Sequence, residues 1–207
     1  MSAPRRKERI AFVTIGASAS FQPLIAEVLS PDFIAKLRAA RFTHLIVQYG
    51  PDLRCFDAAK PAPEGLNDNN SLIVTGFAYK ESLRKEMELT TAKETSVFVR
   101  EKGLIVTHAG SGSILDALDF DTTVIAVPNP SLMDNHQSEI ATEMENEGFL
   151  IQGKLGSLAT LINDDTLTQP TNLWPPEPTA DTAWQGGLWE VINSLMPQRK
   201  LSDRTAK

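Results

Sequence analysis

Cysteine is almost absent. Cys55 stands alone among 207 residues, which excludes an internal disulfide framework and a cysteine-ligated zinc cluster, and points to a reducing compartment. Histidine is nearly as scarce, and His44, His108 and His136 are too dispersed to make a metal site by spacing. No apolar run approaches the roughly 18 residues needed to cross a bilayer, so the chain is expected to be soluble. Its basic start, Arg5-Arg6-Lys7, passes directly into Glu8 and Arg9 with no long apolar region and no small-residue cleavage site, which is not the pattern of a secretory signal. Excess positive charge is missing as well. A formal net charge of −6 argues against a general nucleic-acid binder, whose affinity rests on neutralising phosphates. No solenoid repeat and no low-complexity tract breaks the chain.

What is present fits one core with a tail. Ile10 to Ile15 is a β-prone run followed at once by Gly16-Ala17-Ser18-Ala19-Ser20 and then by Leu24, Ile25, Val28 and Leu29 at helical spacing. Pro31 is expected to stop that helix before a second from Phe33 to about Ala40. His44 to Tyr49, Leu72 to Val74, Leu104 to Val106 and Val124 to Val127 read as further buried strands. The stretch from Pro51 to Asn70 reads as a surface excursion, Lys80 to Lys93 as a helix, Ser113 to Leu118 as a compact crossover helix, and Leu155 to Ile162 as another helix. Strands apolar on both faces and separated by helices predict an α/β fold, a Rossmann-like doubly wound parallel sheet over residues 8–163. Residues 164–183, rich in Asp, Thr and Pro, read as a linker or strap. Residues 184–196 read as a docking helix with an apolar stripe (Trp184, Leu188, Val191, Ile192, Leu195), and 197–207 as a polar tail.

In such sheets ligands sit beyond the carboxyl ends of the strands, and three loops there carry chemistry. Thr107-His108-Ala109-Gly110-Ser111-Gly112-Ser113 joins a strand to a helix whose N-terminal amides and partial positive charge suit a diphosphate, with Ser111 and Ser113 adding hydroxyls and Asp116 placed to accept from a ribose. The same residues fit a plain turn capped by Ser111 or Ser113, and the Gly-Ser-Gly spacing does not choose between the two. Pro128 to Gln137 is a second strand exit, where Asp134, Asn135, His136 and Gln137 offer the mixed donors and acceptors that a sugar requires, although Asp134 or Asn135 also suits an N-cap. Gly16 to Ser20 is the third. It lacks the full Gly-x-Gly-x-x-Gly pattern, so an NAD-type reading is weak.

Three motifs, Phe12-Val13-Thr14-x-Gly16-Ala17, His108-Ala109-Gly110-Ser111-Gly112-Ser113-Ile114-Leu115-Asp116 and Val127-Pro128-Asn129-x-x-Leu132-Met133-Asp134-Asn135-His136-Gln137, resemble the nucleotide-binding subunits of the eukaryotic UDP-N-acetylglucosamine transferase of dolichol-linked oligosaccharide assembly. The resemblance spans about residues 8 to 162. It implies the C-terminal, donor-binding half of a GT-B glycosyltransferase, similar to that half of MurG-type enzymes. It also implies a separate, membrane-anchored partner subunit supplying the other lobe, and a site on the cytosolic face of the endoplasmic reticulum to which that partner recruits the chain. The implied reaction is inverting transfer of GlcNAc from UDP-GlcNAc to GlcNAc-diphosphodolichol, with no cofactor and no metal.

Carried over by position, Gly110, Ser111, Gly112 and Ser113 would hold the diphosphate, Asp116 the ribose, and Asn135, His136 and Gln137 the GlcNAc. Thr14, Gly16, Ala17 and Ser18 would line the cleft near the phosphates. Ala17-Ser18-Ala19-Ser20 lacks the bulkier Thr-Val-Pro version of some relatives. His108 is the candidate base within the chain, and the partner is the other source of one. Two further readings remain at this stage: a non-catalytic UDP-sugar-binding or scaffold subunit, and another UDP-sugar enzyme of this fold such as an epimerase. The length argues against the last, which needs its second lobe on the same chain.

Overall fold

Uncharged, mostly apolar runs build the strands of the main sheet, and Ile10-Ala11-Phe12-Val13-Thr14 lies at their centre, buried along its whole length. The computed structural model describes residues 5–17, 19–62, 71–132, 136–169 and 171–176. In chain order the elements are β1 (Arg6–Glu8), β2 (Ile10–Thr14), α1 (Gln22–Val28), α2 (Pro31–Ala39), β3 (His44–Gln48), α3 (Leu53–Ala59), β4 (Ile73–Phe77), α4 (Arg84–Glu88), β5 (Lys93–Glu94), β6 (Phe98–Arg100), β7 (Leu104–Thr107), α5 (Ser111–Leu118), β8 (Thr123–Ala126), α6 (His136–Asn146), β9 (Ile151–Gln152), a 3-10 turn (Leu158–Leu161) and α7 (Asp164–Thr168). By contacts the chain divides into units Met1–Trp174 and Pro175–Lys207, and the first is the one built from these elements. The expected docking helix over 184–196 and the polar tail lie outside the described residues, as do Ser18, Met133, Asp134 and Asn135.

Six strands form one sheet in the order β4-β3-β2-β7-β8-β9, every pair parallel. By appearance in the chain this is third, second, first, fourth, fifth, sixth, the doubly wound order whose direction reverses between the first and fourth strands. Register puts Ala11, Val13, Leu45, Val47, Val74, Leu104, Val106 and Ile125 on one face, where they form a single apolar cluster with Leu24, Ile25 and Val28 of α1, Phe33 and Leu37 of α2, Phe56 of α3, and Leu158, Ile162 and Leu167. Phe12, Ile105 and Val124 point to the other face, which α5 and α6 cover with Ile114, Ala117, Ala141 and Met144. Burying side chains of this size contributes about 1.5–3 kcal/mol each.

Several expected elements differ in the structure. Pro31 opens α2 instead of merely ending α1: Ser30 Oγ accepts from Phe33 N as the N-cap, and proline suits the first turn because its missing N–H has no acceptor there. The excursion after Pro51 begins with α3, whose one deeply buried anchor, Phe56, stacks obliquely on Tyr49 at 4.9 Å. The helix expected over Lys80 to Lys93 contracts to α4. Beyond it, Lys93 and Glu94 pair antiparallel with β6, whose other side pairs parallel with β1, making a separate three-stranded sheet. The helix expected at Leu155 to Ile162 is the 3-10 turn, with Glu27 accepting from Gly156 N and Leu158 N. The segment read as a linker from Asp164 starts with α7, capped by Asn163 Oδ1 on Thr166 N and anchored by buried Leu167.

Candidate functional site

β2 and β7 lie side by side at the point where strand order reverses, and the loops leaving their carboxyl ends touch each other. His108 N donates to Thr14 O at 3.1 Å. Thr14 Oγ1 accepts from Gly16 N at 3.2 Å and also bonds Gln48 Oε1, while Gln48 Nε2 donates to Gly16 O at 3.2 Å. Gly16 holds φ of +81°, in the left-handed region, and its Cα faces the His108 ring: a Cβ built there falls 2.6 Å from Cε1. Gly110 approaches the same imidazole from the other loop, so that a Cβ on it would overlap Nε2. Two glycines are therefore required by one histidine, the second reason for small residues in these turns besides access for a ligand.

The turn Thr107–Gly110 then starts α5. Ala109 is fully buried with φ of +62°, a conformation costing an L-residue roughly 1–2 kcal/mol. Gly110 is the N-cap and supplies no side-chain cap, so neither Ser111 nor Ser113 caps the helix. The first-turn N–H groups have no acceptor inside the helix and concentrate partial positive charge at the rim. Ser111 and Gly112 are exposed there, Ser113 is half-buried, and nothing lies within 4 Å of a Cβ built on Gly112. Asp116 is exposed further along the same helix. Thr107 Oγ1 and His108 Nδ1 are buried with no hydrogen-bond partner, two polar atoms without a bond beneath this opening.

The exit of β8 joins the same rim. Gln137, on the first turn of α6, accepts on Oε1 from Asn129 N at 3.0 Å, and Asn129 Nδ2 donates to Ser20 O at 3.1 Å. Ser20 Oγ, Phe21 N and Gln22 Nε2 all donate to the carboxylate of Asp52, at the exit of β3. Loops after β2, β3, β7 and β8 are thus bonded or packed into one rim. Of the sequence-predicted residues, the structure gathers Thr14, Gly16, His108, Gly110, Ser111, Gly112 and Gln137 there, with Ala17 exposed beside them. His136 is exposed and pairs with Glu139 at 3.5 Å, within its own helix. Ser18 and Asn135 fall outside the described residues. Gln48 and Asp52 escaped sequence reasoning, and Asn129 stood within a motif with no role assigned to it. Each stands as a buried polar residue at a strand end or next to proline, which is the signal that could have found them.

His108 and His44 both prefer the neutral state. Burial lowers the His108 value, opposed by the Thr14 carbonyl; burial also leads at His44, reinforced by Arg6 and opposed by Glu8. An unfolded histidine titrates near about 6.5. As pH falls through that value the unfolded chain takes up protons first, so the stability from these two groups is complete above about 6.5 and declines toward their lower folded values. Thermal unfolding followed from pH 7.5 to 5.5 is expected to show a falling midpoint, with a shallower fall in His108→Gln. Equal slopes would mean that His108 titrates alike in both states.

Among the described residues no group of three His, Cys, Asp or Glu side chains could hold a metal ion, and no helix is long and apolar enough to cross a membrane. Residues 10–172 match the glycosyltransferase family 28 C-terminal domain. The UDP-N-acetylglucosamine transferase subunit ALG13 of Yarrowia lipolytica is 35% identical over 142 residues, 69% of this chain and 63% of that protein. This chain thus spans less than two thirds of that relative's length. An NMR solution structure of ALG13 superposes with a TM-score of 0.53 at 26% identity over 78% of this chain and 88% of the other. The crystal structure of Acinetobacter baumannii MurG does so at 0.51 and 16% identity, over 77% of this chain and 43% of MurG, and so shares the fold.

Proposed function

The chain belongs to the glycosyltransferase family 28 C-terminal domain family, and from that premise we propose that it is the donor-binding lobe of a GT-B transferase, moving GlcNAc from UDP-GlcNAc to GlcNAc-diphosphodolichol together with a membrane-anchored partner subunit on the cytosolic face of the endoplasmic reticulum. One observation carries the reading: the uncapped start of α5 opens at the strand-order reversal, with Gly112 clear of neighbours and the Thr14–Gly16 loop beside it. A diphosphate placed there meets unpaired amides and the positive end of the helix. Asp116 on the same helix suits the ribose hydroxyls, and Gln137 with His136 suits the sugar.

In the transfer the acceptor hydroxyl oxygen forms a bond to the anomeric carbon of GlcNAc from the face opposite the phosphate. The bond from that carbon to the β-phosphate oxygen breaks, and UDP leaves with the electron pair while the hydroxyl proton passes to a base. Amides of Ser111, Gly112 and Ser113 oppose the charge that grows on the diphosphate, so this reading requires no metal and no cofactor. His108, neutral at physiological pH, is this chain's own candidate base. Its Nδ1 is buried and its ring is wedged between two glycines, which favours a base from the partner and a spacing role for His108.

Co-expression with the partner subunit and a UDP-GlcNAc-dependent assay of lipid-acceptor elongation test the reading. Asp116→Ala and Gln137→Ala are expected to lose activity by about tenfold or more each; Asp116→Ala should melt close to wild type because Asp116 is exposed, whereas Gln137→Ala should melt lower because it leaves the buried Asn129 N–H without its acceptor. Normal turnover by both variants would remove the site assignment. Absence of turnover by the wild-type complex would leave a scaffold subunit instead of an enzyme.

A further inference from the structure

Asn129 uses every polar group it has. Its N–H donates to Gln137 Oε1 at 3.0 Å, its Nδ2 to Ser20 O at 3.1 Å, its Oδ1 accepts from Ser131 N at 3.0 Å and its carbonyl from Leu132 N at 3.2 Å. It is only 6% exposed and lies between two prolines, Pro128 and Pro130, neither of which has an N–H to offer. Ser20, its partner in the loop after β2, belongs to the segment held by Asp52. A continuous hydrogen-bonded belt therefore runs from α6 through the β8 exit to the β2 exit and the start of α3.

The bond to Gln137 has a chemical consequence. A backbone N–H can only donate, so the side-chain atom facing it is the amide oxygen, and this settles which way the Gln137 amide is turned. Its oxygen is directed into the protein and its NH2 group is what remains for a ligand. From this we infer that Asn129 is a positioning residue of the donor site: it tethers the β8 exit to Ser20 and thereby presents Gln137 as a hydrogen-bond donor. The group of the donor sugar met at Gln137 is then an acceptor, either a hydroxyl oxygen or the N-acetyl carbonyl. The inference rests on the donor-site reading above and adds to it the residue that orients the contact and the sign of that contact.

Gln137→Glu separates orientation from recognition, because a carboxylate still accepts from Asn129 N but has no proton to give. The full chain, purified with its partner subunit, is titrated with UDP-GlcNAc and with UDP, and the donor KM and kcat are measured. Gln137→Glu is expected to keep the wild-type melting temperature and UDP affinity while its KM for UDP-GlcNAc rises by about tenfold or more. Asn129→Asp keeps the acceptor for Ser131 N and turns an oxygen toward the Ser20 carbonyl; Asn129→Ala removes both side-chain bonds. Both are expected to raise the KM by about tenfold with a smaller change in kcat, and Asn129→Ala/Gln137→Ala should be no worse than Gln137→Ala, since residues acting through one contact are not additive.

Additive losses in the double variant, or Gln137→Glu with an unchanged KM, would overturn the inference while the donor site stands. Losses that follow melting temperature alone would reduce Asn129 to a structural brace and overturn it equally. Failure of the wild-type complex to bind or use UDP-GlcNAc would overturn the function reading and this inference with it, an outcome distinct from the others because it appears before any substitution is made.

Discussion

Gly103→Ala is expected to lower the unfolding midpoint by about 6–12 °C or to leave the chain insoluble. Gly103 immediately precedes β7, and a Cβ there would overlap the carbonyl oxygen of Ile10 while lying 3.1 Å from the carbonyl of Thr90, to which Gly103 N itself donates at 2.7 Å. Both obstacles are backbone, so no side chain can turn aside. Relief requires that β2 and β7 separate at their amino ends, where Ala11 pairs with Leu104. Overpacking of this kind costs about 3 kcal/mol, a large share of the roughly 5–15 kcal/mol that holds a domain folded, and about 2–4 °C accompanies each kcal/mol at this size. Differential scanning calorimetry decides it, and a wild-type midpoint would mean that the two strands are not packed as described.

Gly112→Asp is expected to act in the opposite sense on fold and function. Its side chain enters open space, and a carboxylate in the first turn of a helix stabilises by about 0.3–1 kcal/mol. The same charge would sit where the diphosphate is proposed to bind, and repulsion within a few ångströms of two phosphates is expected to weaken UDP and UDP-GlcNAc binding by about a hundredfold or more. Gly112→Ala separates charge from bulk and should bind nearly as the wild type does. Calorimetric titration with UDP tests all three proteins. Undiminished binding by Gly112→Asp would move the diphosphate away from the start of α5.

The parallel sheet is legible in the sequence because its central strands β2, β7 and β8 are buried on both faces, and five uncharged runs announce themselves without periodicity. The apolar run of β4 stops at Val74 although the strand continues to Phe77, because Thr75 and Gly76 interrupt the pattern; the Gly76 Cα is approached by the Phe56 ring, a tertiary reason that local reading does not see. α3 is hidden by Pro51 and Pro61 on either side and by having one deeply buried anchor. The charged stretch after Lys80 looks helical throughout because Lys, Glu and Leu favour helices, but pairing of Lys93 and Glu94 with β6 outweighs that preference. β1 and β6 are short and partly exposed, so neither carries an apolar signature.

The candidate site divides along the same line. Glycines and serines at strand exits are visible as residue types, so the loops around Gly16, Gly110 and Gln137 stand out. What they are bonded to does not. Asn129 to Ser20 spans more than a hundred positions of sequence, and Asp52 reaches across from a segment with no ligand motif at all. Helix capping is undecided by spacing, and the structure settles it by giving Gly110 the N-cap position.

The strand order sets a timetable for how this lobe forms. β2 finds β3 within a few dozen residues, but its other edge waits for β7, whose Leu104 pairs with Ala11. Pairings between distant segments delay collapse because a long chain must close first, which places this topology among slow folders. On the ribosome, at about 5–20 residues per second, the nascent β2-β3-β4 half leaves the edge of its most buried strand unpaired for several seconds, the interval in which a chaperone has most to protect.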